Sequence, residues 1–151
     1  MKTIAMIPAR IDSVRLPGKL MMDLGGIPII LRTYKNALNT KLFEKVYVVT
    51  DSRVIYDLIN DNGGDVYMSS IQHTCGSDRI AEFAPKIDAD LIINIQGDEP
   101  FIDKISLEKL IKVFYDDNQE KIDLGSLMKS IKANDVLKEV QNLRQANIAN
   151  I

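Results

Sequence analysis

"KTIAMIPARIDSVRLPGK", residues 2–19, holds an apolar run followed at once by a basic loop. Residues 2–7 are rich enough in branched side chains to predict a short buried strand, and Pro8 is expected to end it. Beyond it come Arg10, Arg15 and Lys19, threaded between Pro8, Pro17 and Gly18. Arginine's planar fork and lysine's point charge both suit phosphate, and several cations converging on one loop suit a polyphosphate. By composition alone the loop is equally compatible with three solvated surface cations. Its place directly after the first buried strand favours a clamp for an anion.

Working outward, the rest of the chain alternates strands and helices. "GGIPIILRTYKNALN" (25–39) has Pro28 near a helix start and apolar residues at helical spacing. "KVYVVT" (45–50) predicts a second buried strand, and Asp51 or Ser52 is expected to cap a helix through "RVIYDLIND" (53–61), with Asp51 alternatively facing a cleft. Gly63 and Gly64 end that helix and open a third strand, "DVYMS" (65–69). A helix beginning at "GSDRIAEFAPKI" (76–87) is expected to be capped by Ser77 or Asp78. A fourth strand, "DLIINIQ" (90–96), an amphipathic helix, "SLEKLIKVFYDD" (106–117), and a fifth strand, "DLGSLMKSI" (123–131), follow. Strands that read as continuous apolar runs between helices predict an α/β fold with a mostly parallel sheet covered by helices on both faces. In such sheets ligands sit beyond the carboxyl ends of the strands.

The bulk properties narrow the function. A chain of 151 residues is about one domain, and 46% apolar with 26% charged residues is the balance of a soluble globular protein. A net charge of −2 gives no general drive towards nucleic acid or an anionic membrane, so any basic site is local. No apolar run approaches the ~18 residues of a membrane span, and "MKTIAMIPAR" is too short for a signal peptide, so the chain reads as cytoplasmic. With one cysteine, Cys75, and one histidine, His73, neither an internal disulfide nor a Cys/His zinc site can be assembled. A hard, oxygen-liganded metal is the type left open.

Two further loops stand at strand ends. "INIQGDEP" (93–100) puts Asp98 and Glu99 after a glycine; a carboxylate there suits magnesium, and a plain polar turn is the alternative. "SSIQHTCGSDRIAE" (69–82) offers Gly76, Ser77 and the amides of a helix start as a corner for an anion or a base, with Arg79 in the first turn. His73 reads as a plain surface residue and Cys75 as a small structural thiol. The first loop is not a P-loop, because Ser13 stands where the leading glycine would be and Leu20 replaces the Ser/Thr that would hold magnesium.

Taken together, "PARIDSVRLPGK" (8–19), "HTCGSDR" (73–79) and "NIQGDEP" (94–100) resemble the 3-deoxy-manno-octulosonate cytidylyltransferase family, the CMP-Kdo synthetases. The resemblance runs from residue 1 to about 132. It implies a nucleotide-diphosphosugar-transferase (Rossmann-like) α/β fold, a homodimer, and synthesis of CMP-Kdo and pyrophosphate from CTP and Kdo for lipopolysaccharide. It also implies that Arg10, Arg15 and Lys19 hold the CTP phosphates, with backbone groups of Pro8 and Ala9 near the cytosine. Ser77 and Arg79 would flank the nucleotide, Gln96 would approach the sugars, and Asp98 would bind Mg²⁺. Arg10, Lys19 and Asp98 are the residues it makes catalytic.

Residues 133–151 carry apolar side chains at roughly helical spacing, without the family's motifs, and read as an atypical tail on a single domain spanning 1–151. The family's chains continue with a segment that completes the sugar pocket and the dimer contact, so this chain is expected to be truncated. Three outcomes stand open: an active transferase, a catalytically inactive CTP-binding fragment, or a cytidylyltransferase for another acidic sugar.

Overall fold

The computed structural model describes residues 1–11, 16–117, 122 and 125. The expected fifth strand over 123–131 and the tail from 133 lie outside the described residues, Gly125 apart. Among the described residues four parallel strands, β1 (Thr3–Ala9), β2 (Lys45–Thr50), β3 (Asp65–Met68) and β4 (Leu91–Asn94), form one sheet in the order β3-β2-β1-β4. Four α-helices connect or follow them: α1 (Ile29–Thr40), α2 (Arg53–Asp61), α3 (Gly76–Phe83) and α4 (Lys104–Tyr115).

β1 explains why its sequence reads as a continuous apolar run. Ala5, Ile7 and Ala9 join one core with Ile30, Leu31, Tyr34 and Ala37 of α1, Ile55 and Ile59 of α2 and Leu107 of α4. Ile4 and Met6, pointing the other way by the two-residue period of a strand, join Val49 with Ile80 and Phe83 of α3. Both faces of the sheet are therefore covered, as the apolar runs predict.

Pro8 does not end β1 outright; it ends one of its two ladders. The carbonyl of Met6 accepts from the amide of Ile95 on the β4 side, whereas that of Thr3 accepts from Glu44 at the start of β2. By alternation the missing N–H of Pro8 falls on the β4 side. The β1–β4 ladder accordingly stops at Met6↔Asn94, while the β1–β2 ladder runs on to Ala9↔Thr50. The strand order also reverses here, since β2 and β3 lie to one side of β1 and β4 to the other. Pro8 thus stands where an open parallel sheet leaves its ligand crevice.

Helix starts differ from expectation at three places. α3 begins earlier than its predicted caps: Cys75 is the N-cap, its Sγ accepting from the Asp78 amide at 3.5 Å, which puts Ser77 and Asp78 inside the first turn. α2 has Ser52 at its N-cap with no side-chain cap hydrogen bond, and Asp51 is engaged elsewhere. α4 starts at Lys104 because the Asp103 carboxylate accepts both the amide and the hydroxyl of Ser106, at 2.9 and 2.6 Å.

Candidate active site

Three loops meet over Pro8, and glycine makes each close approach. A Cβ added to Gly76 would lie 2.9 Å from Pro8 Cγ, and one added to Gly97 would lie 3.1 Å from the Pro8 carbonyl oxygen. The same Cβ on Gly97 would press on Ile30 and Leu20, at 3.2 and 3.3 Å. A side chain at Gly76 would force Pro8 to shift, and one at Gly97 would need its neighbours to give by a few tenths of an ångström, so glycine eases the approach of the loops after β3 and β4 to the end of β1.

The loop after β1 is closed at its base by the Gly18 amide, which donates to the Ile11 carbonyl at 2.9 Å. Gly18 takes φ 72°, a left-handed conformation that costs glycine little, and starts a single 3-10 turn over Lys19–Met21. That turn buries Leu20 against Gly97 and leaves Lys19 at the lip. Lys19 Nζ donates to Asp98 Oδ2 at 2.6 Å, so the predicted phosphate cation and the predicted metal ligand touch. α1 steadies the opposite side: the buried Thr33 hydroxyl donates to the Gly97 carbonyl at 2.9 Å, and Asn36 Nδ2 donates to the Ile102 carbonyl at 2.9 Å.

The other predicted residues divide. Pro8 and Ala9 are buried at the strand end, and Arg10 is exposed just beyond it. Ser77 is exposed on the first turn of α3, and Gln96 is exposed after β4, its amide donating to Asn94 Oδ1 at 3.2 Å. Arg15 lies outside the described residues. The Arg79 side chain is only 2% exposed, and Nη2 donates to Asp51 Oδ2 at 2.6 Å. It braces α3 against the end of β2 from inside the fold, and Asp51 serves as its counter-ion rather than as a helix cap.

Sequence reasoning missed Glu82. Its Oε1 accepts from the Ser70 amide and hydroxyl at 3.1 and 2.8 Å, while Oε2 accepts from the Ser69 hydroxyl and lies 2.7 Å from His73 Nε2. His73 is therefore not a plain surface residue; its ring is 9% exposed. Hydrogen bonds from His73 first, then from Ser69 and Ser70, hold the Glu82 carboxyl down at about 2. A carboxyl depressed in the fold stabilises it above the unfolded value and loses that contribution as pH falls through about 4.5 towards 2. The gap in urea midpoint between wild type and Glu82→Gln is therefore expected to be full at neutral pH and to close over that acid range. A gap constant down to the acid end would contradict the assignment.

For a metal, the described residues contain no cluster of three His, Cys, Asp or Glu side chains. Asp98, with Glu99 beside it, offers one half-exposed carboxylate at the lip, which fits an ion that takes few protein oxygens and keeps water and phosphate as its other ligands. No helix among the described residues is long and apolar enough to cross a membrane.

Comparison with known proteins agrees with the three-loop resemblance. The cytidylyltransferase family model matches residues 4–149, past the point where the motif resemblance ends. A 3-deoxy-manno-octulosonate cytidylyltransferase from Christiangramia forsetii is 52% identical over 143 residues, and one from Flavobacterium johnsoniae is 51% identical over 144. These matches cover 95% of this chain but 58% and 59% of the relatives, so the chain spans well under two thirds of their length. The solved structure of a CMP:2-keto-3-deoxy-manno-octonic acid synthetase complexed with CTP superposes with a TM-score of 0.75 at 38% identity, covering 79% of this chain and 49% of that one. With the fold, the glycine-built convergence on Pro8 and the family model all in agreement, the chain belongs to the cytidylyltransferase family.

Proposed function

We propose that this chain provides the nucleotide side of an enzyme that transfers CMP from CTP to the anomeric hydroxyl of Kdo, releasing pyrophosphate. The observation that carries this reading is the meeting of Lys19 and Asp98 at 2.6 Å above Pro8, at the switch point of the sheet. Kdo as acceptor rests on the names of the two relatives. In the reaction the sugar oxygen forms a bond to the α-phosphorus as the bond to the bridging oxygen of the β-phosphate breaks, pyrophosphate leaves, and the hydroxyl proton passes to solvent water. Arg10, Arg15 and Lys19 would bind the phosphates and stabilise charge on the phosphoryl oxygens and the departing pyrophosphate. Asp98 is the residue that would hold Mg²⁺, which when bound offsets phosphate charge. Pro8 and Ala9 would border the base, Ser77 the nucleotide and Gln96 the sugars. A cytoplasmic setting, a homodimer and supply of an activated sugar to lipopolysaccharide belong to the same reading.

The test is pyrophosphate release from CTP, Mg²⁺ and Kdo by the 151-residue chain, with CTP binding measured by calorimetry on the same sample. Release establishes the transferase. Binding without release leaves a CTP-binding half-site. Failure to bind CTP overturns both. In the same assay, Asp98→Asn is expected to abolish the dependence of CTP affinity on magnesium; an unaltered dependence would make the Gln96–Pro100 turn structural only.

A further inference from the structure

Between β3 and α3 the chain crosses from Ser69 to Cys75 without regular secondary structure, and its far end delivers Gly76 against Pro8. The entry is tied to the sheet by the Ser69 amide, which donates to the Thr50 carbonyl at 2.7 Å. The exit is tied by Cys75 and Thr74, which bond the Asp78 amide and carboxylate at 3.5 and 3.2 Å. The span between them is gathered by Glu82, whose carboxylate takes Ser69, Ser70 and His73. Glu82 itself sits on a helix anchored independently, through Ile80 and Phe83 in the core and Arg79 on Asp51. Every donor comes from the loop, so the carboxylate holds the loop to the helix rather than the helix to the sheet.

We propose that Glu82 is a positioning residue for the nucleotide corner, fixing through Ser69, Ser70 and His73 the loop that runs into the first turn of α3, where Gly76 and Ser77 stand beside Pro8. The role rests on the nucleotide reading above. It follows from tolerance: a Cβ on Gly76 would lie only 2.9 Å from Pro8 Cγ, so the start of α3 has little room to shift, and a loop released at 69–73 no longer holds it there. The carboxylate reaches neither Pro8, Lys19 nor Asp98 through any hydrogen bond it makes here, so it acts by placement and not by touching the ligand.

The experiment combines amide hydrogen exchange with CTP binding for wild type, Glu82→Gln, Glu82→Ala and Ser70→Ala. In Glu82→Ala, exchange across 69–77 should quicken by roughly tenfold or more while amides of β1 and Ile80–Phe83 keep their protection, and CTP affinity should fall by roughly tenfold. Glu82→Gln keeps one acceptor oxygen and should fall between the two. Ser70→Ala removes a donor from an exposed loop position and should weaken CTP binding in the same direction even where a Glu82 variant folds poorly. Loop exchange unchanged, or a loosened loop with unchanged CTP affinity, overturns the proposal. Failure of the wild-type chain to bind CTP would instead sink the nucleotide reading and the role with it, while unchanged exchange alone would sink only the clamp.

Discussion

Asp51→Ala is expected to destabilise the fold by about 3 kcal/mol, the low end for a buried ion pair broken from one side. The asymmetry of the pair is the reason. Arg79 is 2% exposed and Asp51 27%, and Arg79 Nε has no hydrogen-bond partner among the described residues. Removing Asp51 strands a guanidinium inside the protein, and a guanidinium cannot readily give up its charge to escape. Arg79→Met instead fills the space with an apolar chain and leaves Asp51 a route to water, so its cost should be nearer about 1 kcal/mol. Urea unfolding of the two variants measures the difference. The order Asp51→Ala below Arg79→Met below wild type is expected, and the reverse order would mean that Asp51, not Arg79, carries the penalty of burial. The pair also bears on function, because α3 carries the corner that meets Pro8. An arginine with direct access to nucleotide phosphate would respond chiefly in CTP affinity, whereas this one should respond chiefly in stability.

How far the sequence reveals this site depends on how local each determinant is. The runs at 2–7, 45–50, 65–69 and 90–96 and the signals at Pro28 and Gly63 predict the four strands and the helices between them, since buried strands and helix ends are short-range features. Pro8 was misleading only because its effect is one-sided: a lost donor ends a strand only if that side is paired, and which side faces β4 is a property of the assembled sheet. Arg79 and Asp51 are 28 residues apart, and nothing in "GSDR" tells a helix-start arginine that faces inward from one that faces a ligand. Glu82 is equally silent, because its partners gather from 9 to 13 residues upstream only when the loop folds back over α3. Cys75 rather than Ser77 is the cap because its Sγ, a weak acceptor that the sequence does not single out, reaches the Asp78 amide. Lys19, Gly76, Gly97 and Asp98 lie in or at the end of the loops that follow β1, β3 and β4, where the predicted sheet directs attention, whereas the contact between Lys19 and Asp98 is set by the assembled sheet.

Lys19→Ala is expected to weaken CTP binding by about 1.5–3 kcal/mol, roughly 10- to 150-fold, the range for a hydrogen bond to a charged group. Its effect on folding should be small, because Lys19 and Asp98 are 39% and 43% exposed and such surface pairs contribute only about 0–1 kcal/mol. The two effects separate if, as proposed, the pair takes different partners when nucleotide binds. Without nucleotide, the ammonium donates to the carboxylate; on the proposed reading, Lys19 would turn to an arriving phosphate, and the Asp98 oxygen it had bonded would face a metal ion. Binding of phosphate and metal would then be coupled through this one contact. Calorimetry on Lys19→Ala, Asp98→Asn and the double variant tests the coupling, with the double variant expected to lose less than the sum of the two, as residues in direct contact do. Strict additivity would separate the roles of the two residues. Unchanged CTP affinity in Lys19→Ala would reduce the pair to a surface ion pair and leave the phosphate role to Arg10 and Arg15.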